Sequence, residues 1–257
     1  MKLAVLMAAN EDFPERQLVK ACKIARLMSV SLTGIASSQA SIEFLPVGDS
    51  GYLATPDSMV EIAEQNLEHC VAQFRSTCAT EGVTQEWLGT FGYMHHEWKG
   101  LSPYFDLAIT TGSLSAPELA GIGISATLQL TEDARIDRFD GRCVIAWDGS
   151  VQAGRAVRAA LPLMPRFQEV DVITVDPRTR SVPTDIAGYL AANGITANVL
   201  SLASSGETPA GLIMDEARSS DLLVMGAYGF PAVLEKWFGG VTETMRTGCN
   251  TPVLFAH

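Results

Sequence analysis

Two passages of this chain repeat the same alternation of short apolar runs with longer amphipathic stretches. The first passage opens with the apolar run 2–9 and the second with the run 142–147. Alternation of this kind indicates parallel strands joined by right-handed helical crossovers. We therefore predict an α/β fold made of two tandem doubly wound, mostly parallel five-stranded sheets of the Rossmann-like type.

The polar segment 131–141 separates the two passages and predicts a boundary between domain 1–138 and domain 139–257. In the first domain we expect strands at 2–9, 31–36, 84–90, 105–111 and 126–130, helices at 14–29, 56–81, 93–100 and from 117, and a Gly-, Ser- and Pro-rich loop over 38–55. In the second we expect strands at 142–147, 170–175, 195–202, 221–225 and 252–255, and helices at 151–163, 184–192, 209–219 and 241–247.

Composition excludes several classes of protein. The net charge is −11 and no run is rich in Lys or Arg, so binding to nucleic acid is not expected. No apolar run has the length of a membrane span, and the N-terminus lacks the cleavage region of a signal peptide, which predicts a cytoplasmic protein.

The cysteines and histidines predict no metal site. Five cysteines without a C-x-x-C pair fit neither a disulfide framework nor a zinc site, so buried or half-buried free thiols are expected and redox sensing is the minor alternative. Cys70 and Cys78 are eight positions apart in a predicted helix and would share a face. His95 and His96 are adjacent, so on a helix they point in different directions.

A glycine-rich segment follows the apolar run 221–225. Its glycines are Gly226, Gly229, Gly239 and Gly240. Glycine permits positive backbone φ angles and lets a ligand approach the main chain, so the first two suit a turn that directs N–H groups outward. The alternative reading is an ordinary strand-to-helix turn.

The end of this segment predicts a helix over 241–247 with Gly248 as its C-cap. The N–H groups of Gly240, Val241 and Thr242 would then face an anion at the helix N-terminus, and the Thr242 hydroxyl would add a donor. The segment has no Lys where a P-loop has one.

The spacing G-x2-G-x9-G resembles the signature of the universal stress protein family, whose fold is that of the adenine nucleotide alpha-hydrolases. In that family the segment binds the ribose and phosphates of a nucleotide. The family places Ser or Thr after the third glycine, where this chain has Gly240, and the missing hydroxyl should weaken binding by about 1.5–3 kcal/mol. Thr242 matches a second hydroxyl common in the family.

The end of the predicted strand 142–147 adds to the resemblance. Asp148 stands where family members carry an aspartate that is implied to contact the nucleotide base or ribose, and Val175 stands where the adenine is implied to pack. Asp-Gly-Ser is also common turn chemistry, so the alternative is that Asp148 caps the next helix. The final run 251–257 resembles the family's last strand, which mediates pairing of two such domains.

The first half lacks these features. Asn10 stands where the aspartate would be, and the run 110–115 supplies one glycine but not the second at the required spacing. We expect this half to bind nothing like ATP.

The resemblance implies a stress-response sensor or adaptor that binds ATP, AMP or another adenine nucleotide, with or without Mg²⁺, at one site in the C-terminal half. The implied nucleotide-binding residues are Asp148, Val175, Gly226, Gly229, Gly239, Gly240, Val241 and Thr242. The alternative is a nucleotide-free scaffolding protein of the same fold that acts through a protein partner or as a homodimer. A slow ATP hydrolase is the third reading, but no general base and no other catalytic residue can be named.

Overall fold

The computed structural model describes residues 1–9, 14–38, 43–47, 50–54, 57–134, 136, 139–175, 185–228 and 235–257. The strands before residue 139 are β1 (Leu3–Ala8), β2 (Leu32–Ser38), β3 (Glu43–Val47), β4 (Ser50–Ala54), β5 (Gln85–Phe91), β6 (Leu107–Thr110) and β7 (Ala126–Gln129). The helices of this half are α1 (Glu15–Met28), α2 (Asp57–Thr80), α3 (Met94–Leu101) and α4 (Ala116–Ile122).

The second half follows the same plan. Its strands are β8 (Arg142–Ala146), β9 (Glu169–Val175), β10 (Asn198–Leu202), β11 (Leu222–Gly226) and β12 (Val253–Ala256). Its helices are α5 (Val151–Ala160), α6 (Ile186–Ala192), α7 (Pro209–Arg218) and α8 (Glu235–Gly248). In the part of the chain that the structure describes, no helix combines the length and the apolar character needed to cross a membrane.

One ten-stranded sheet runs through the molecule in the order β10-β9-β8-β11-β12-β7-β6-β1-β2-β5. Each half contributes five parallel strands whose order from the outer edge is third, second, first, fourth and fifth. The halves meet where β12 pairs antiparallel with β7, with Leu254 opposite Leu128. The predicted α/β fold with mostly parallel strands is therefore confirmed. The two predicted five-stranded sheets are not separate, because their last strands pair edge to edge and make one sheet.

Both faces of the sheet are covered by helices, because successive strand residues point to opposite faces. On β1, Leu3 and Val5 pack in the apolar core that contains α1, α2, α5 and α6, whereas Ala4 and Leu6 pack with α3 and α4. In the second half the corresponding second face is covered by α7 and α8, together with residues of α4. Strands buried on both faces explain the nearly continuous apolar runs in the sequence.

The prediction of a loop over 38–55 was partly wrong, because β3 and β4 form an antiparallel hairpin within this range, with Val47 opposite Ser50. Its Gly, Ser and Pro content suggested irregular structure. Pro46 can lie inside β3 because both strands of a two-stranded ribbon are edge strands, where a proline without an N–H group is tolerated.

Candidate functional site

The carboxyl ends of three adjacent strands bring the predicted site residues Asp148, Val175 and Gly226 to one edge of the sheet. Ala146 of β8 lies opposite Ile173 of β9 on one side and Met225 of β11 on the other. The chain order reverses between β8 and β11, which are the first and fourth strands of this half. Such a switch point is where open α/β sheets bind ligands.

Asp148 is exposed and shapes the turn after β8. Its Oδ1 accepts a hydrogen bond from the backbone N–H of Ser150 at 2.8 Å, and Gly149 has a φ of 71°. The hydroxyl of Ser150 accepts from the N–H of Ala153 at 3.1 Å, so Ser150 and not Asp148 is the N-cap of α5. The turn role expected of Asp-Gly-Ser is therefore present, and the Asp148 carboxylate lies at the exposed edge of the sheet.

Val175 ends β9 and is half-buried. Its side chain packs against the apolar core between the sheet and α7, so it offers an apolar surface beside the strand end that carries Asp148. This arrangement is compatible with a planar apolar group lying across the ends of β8 and β9.

Gly226 is required by packing. A β-carbon on Gly226 would lie 2.7 Å from the backbone nitrogen of Ala153 and 2.8 Å from Cβ of Gln152, both in the first turn of α5. No real β-carbon lies this close to a backbone atom, so a glycine is needed for β11 to pack against α5. This contact gives Gly226 a structural role that its spacing in the sequence did not reveal.

Tyr228 was not predicted from the sequence as a site residue, but it holds a conformation that few side chains adopt. Its φ is 52°, its ring lies edge-on to His257 with centroids 6.5 Å apart, and it is near Gly121 at the end of α4. Tyr228 thus links the start of the glycine segment to the chain end after β12 and to the first half. Gly229, the next predicted site residue, lies outside the described residues.

The expected start of the last helix was wrong. Helix α8 begins at Glu235, so Gly239 and Gly240 lie inside it. In an α-helix only the first turn has N–H groups without a carbonyl partner four residues earlier. The N–H groups of Gly240, Val241 and Thr242 therefore belong to the helix hydrogen-bond ladder and are not the free N–H groups expected of a helix N-terminus. Thr242 is only 6% exposed.

In the first half, the strand end that corresponds to the end of β11 is the end of β6, and side chains of this half form hydrogen bonds there. The loop after β6 donates the Gly112 N–H to Oε1 of Gln17 at 2.8 Å, and Nε2 of Gln17 donates to the carbonyl of Leu130 at 2.8 Å. The hydroxyl of Thr111 donates to the carbonyl of Leu6 at 2.9 Å. Gln17 of α1 is buried, so it already occupies a backbone N–H at this strand end.

The described residues contain no group of three or more His, Cys, Asp or Glu side chains arranged to hold a metal ion. Nε2 of His95 lies 3.3 Å from Oε2 of Glu118, and both side chains are exposed. All five cysteines are free and buried.

No family model and no curated protein matches this sequence. Among solved structures, a universal stress protein from Archaeoglobus fulgidus DSM 4304 aligns over 98% of this chain and 97% of its own, with 15% identity and a TM-score of 0.72. A functionally unknown protein from Pseudomonas aeruginosa PAO1 aligns over 98% of this chain and 92% of its own, with 13% identity and a TM-score of 0.55. The chain therefore has the fold of universal stress proteins along nearly its whole length, which confirms the predicted resemblance for the fold.

Proposed function

We propose that this chain is a tandem universal stress protein, with domains 1–138 and 139–257, that binds an adenine nucleotide at a single site in its C-terminal half. It would act as a sensor or adaptor in a stress response. The observation that carries the proposal is the meeting of Asp148, Val175 and Gly226 at the switch point between β8 and β11.

The roles follow from position and chemistry. The exposed carboxylate of Asp148 is suited to accept hydrogen bonds from ribose hydroxyls or from the base, and half-buried Val175 offers an apolar surface to the adenine. The phosphates would lie along the chain between Gly226 and the start of α8, which includes Gly229. Gly239, Gly240, Val241 and Thr242 lie inside α8, so in this proposal their N–H groups stay in the hydrogen-bond ladder of the helix and do not bind phosphate.

The first half takes no part in nucleotide binding in this proposal. Gln17 already bonds the Gly112 N–H at the strand end that corresponds to the end of β11. An anion at that place would have to displace a buried side chain and break its second hydrogen bond, to Leu130.

The direct test is mass spectrometry of small molecules released from denatured protein, followed by titration of the emptied protein with ATP and with AMP. Asp148→Asn removes the negative charge but keeps an oxygen that accepts from Ser150, so the turn should persist. Losing a charge-assisted hydrogen bond of about 1.5–3 kcal/mol should raise Kd roughly tenfold or more. Asp215 has an exposed side chain on α7, and Asp215→Asn is the matched control that should leave Kd unchanged.

The alternative is a nucleotide-free scaffolding protein of the same fold, and the early start of α8 favours it because the expected cluster of N–H groups is absent at Gly240–Thr242. A ligand that binds only the folded state must raise the melting temperature. Protein that is purified without nucleotide and whose melting temperature is unchanged by millimolar ATP or AMP would support this alternative over the nucleotide site.

A further inference from the structure

Two cysteines from different helices face each other in the core of the first half. The Sγ atoms of Cys22 on α1 and Cys78 on α2 are 3.7 Å apart, although the residues are separated by 56 positions in sequence. Both side chains are fully buried. The other three cysteines lie elsewhere: Cys70 about two turns earlier on α2, Cys143 on β8, and Cys249 just after α8.

A second link joins the same ends of the two helices at the surface. Arg26, one turn after Cys22, donates through Nη1 to Oε2 of Glu81 at 2.8 Å and to the Glu81 carbonyl at 2.7 Å. Glu81 immediately follows the last turn of α2, where Cys78 lies. The ion pair therefore connects the two helices near the place where the sulfur atoms meet, and it is only partly exposed.

The two thiols differ in acidity because they share a hydrogen bond. The pKa of Cys78 is lowered by the hydrogen bond from Cys22, and the pKa of Cys22 is raised by the same bond and by burial. For the other three thiols, burial is the main cause of the pKa shift. It raises the pKa of Cys70 to about 11, and it also raises the pKa values of Cys143 and Cys249. Since the thiolate is the nucleophile, this difference favours Cys78 as the first thiol of the pair to react.

We propose that Cys22 and Cys78 are a site of reversible oxidation by hydrogen peroxide, which joins α1 to α2 through a disulfide. The Cys78 thiolate attacks one peroxide oxygen, the O–O bond breaks, and the products are a Cys78 sulfenic acid and hydroxide, which takes up a proton to become water. The Cys22 sulfur then attacks the Cys78 sulfur, the S–O bond breaks, and a second water leaves with the Cys22 proton. Overall, two thiols and one peroxide give one disulfide and two waters.

The choice of oxidant follows from burial. Neither thiol exposes surface, so an oxidant such as glutathione disulfide would require extensive opening of the helix pair. Hydrogen peroxide is close to water in size, so it needs a much smaller opening than glutathione disulfide. A disulfide needs the sulfur atoms at about 2.05 Å, so they must approach by about 1.7 Å from their present distance.

The first experiment uses the wild-type protein. It is treated with hydrogen peroxide, denatured in an alkylating reagent and digested without reductant. We expect a peptide pair joining Cys22 to Cys78, lighter by two hydrogen atoms than the separate peptides, with alkylation at only the other three cysteines. A thiol reductant should restore alkylation at all five. Alkylation of all five after peroxide, or a crosslink that joins other cysteines, would overturn the proposal.

Variants test the order of the steps. In Cys22→Ser a hydroxyl can still donate to Cys78 but cannot form a disulfide, so dimedone should label the sulfenic acid on Cys78. Cys70→Ala should form the Cys22–Cys78 crosslink as the wild type does. Labelling of Cys22 in Cys78→Ser without labelling of Cys78 in Cys22→Ser would contradict the assigned roles. The peptide map of the wild type decides the existence of the disulfide even if a cysteine variant fails to fold.

Discussion

Gly226 at the end of β11 lies against Ala153 in the first turn of α5, with 2.7 Å between the Ala153 nitrogen and the place of a β-carbon on Gly226. This contact fixes the distance between β11, whose last residue is Gly226, and α5, which follows Asp148 in the chain. The two parts of the proposed site are therefore positioned by backbone packing, and a side chain at 226 would move one against the other.

We expect Gly226→Ala to destabilise the protein by about 1–3 kcal/mol, because the backbone of α5 must shift to admit one methyl group. Urea unfolding of the ligand-free protein measures the change. Gly154→Ala is the control on the same helix: apart from its chain neighbours and the backbone of α5, no atom lies within 4 Å of the place of its β-carbon. This variant should stabilise α5 by about 0.5–1 kcal/mol. Equal stability of Gly226→Ala and wild type would contradict the packing role.

Asp171 should be among the most costly polar residues to remove. It is 2% exposed, accepts from Nε of Arg142 at 2.6 Å and from Nδ2 of Asn198 at 2.8 Å, and so ties β8, β9 and β10 together. Arg142 keeps a second carboxylate, Glu216, at 2.7 Å, but Asp171→Ala removes the acceptor that joins Arg142 to Asn198. The loss of these charge-assisted hydrogen bonds should cost about 1.5–3 kcal/mol in urea unfolding.

The exposed pair Arg218–Asp215 provides the comparison for Asp171. Its N–O distance is also 2.6 Å, but the side chains are 73% and 60% exposed. Arg218→Ala should therefore cost less than about 1 kcal/mol. A similar loss of unfolding free energy in Asp171→Ala and Arg218→Ala would show that burial does not determine how much the Asp171 ion pair contributes to stability.

Gln17→Glu should make stability depend on pH. A protonated Glu can replace both hydrogen bonds of Gln17, to the Gly112 N–H and the Leu130 carbonyl, whereas the carboxylate cannot donate to Leu130. Burial would raise the pKa of this Glu above its unfolded value of about 4.3. Because the folded pKa of this Glu is raised, its contribution to stability is present below about pH 4 and is lost as pH rises. The unfolding free energy of Gln17→Glu should therefore fall further below that of wild type at pH 7 than at pH 4.

The measurement for Gln17→Glu is the difference in unfolding free energy from wild type at several pH values. Amide hydrogen exchange supplies a second readout, since the Gly112 N–H should exchange faster in Gln17→Ala, which has no acceptor. Unchanged exchange of Gly112 would show that Gln17 does not hold the loop in solution.

Alkaline pH should destabilise the protein partly through Cys70. Burial raises the pKa of this thiol to about 11 from an ordinary value of 9.0. Its folded pKa lies above its unfolded pKa, so its contribution is fully present below pH 9 and is lost as pH rises through about 11. The contribution is on the order of 2–3 kcal/mol. The melting temperature measured at several pH values from 8 to 11 should decrease less steeply with pH for Cys70→Ala than for wild type.

Much of the fold could be predicted because buried parallel strands leave apolar runs that few other elements produce. The runs 142–147 and 221–225 correspond to β8 and β11, and the alternation predicted a mostly parallel sheet. The start of α8 was missed because Gly239 and Gly240 suggested a helix boundary, although residues 235–238 contain no helix breaker. Tertiary packing allows glycines inside a helix at a cost that sequence spacing does not reveal.

The roles of single residues were harder to predict when they depend on contacts between distant positions. The place of Asp148 at a strand end was predicted from local sequence, whereas the contact of Gly226 with Ala153 and the bond of Gln17 to Gly112 join segments far apart in the chain. Cys70 and Cys78 were expected to share a helix and be buried, and both are, but the partner of Cys78 is Cys22 on another helix.

The antiparallel pairing of β7 with β12 makes the association of the two halves an intramolecular event. Two separate domains joined by such a seam would come apart on dilution, whereas covalently connected halves keep a fixed effective concentration of each for the other. Assembly of the ten-stranded sheet is thus independent of how much protein is present. The first half supplies the strand that pairs with the last strand of the second half, whether or not it binds a ligand itself.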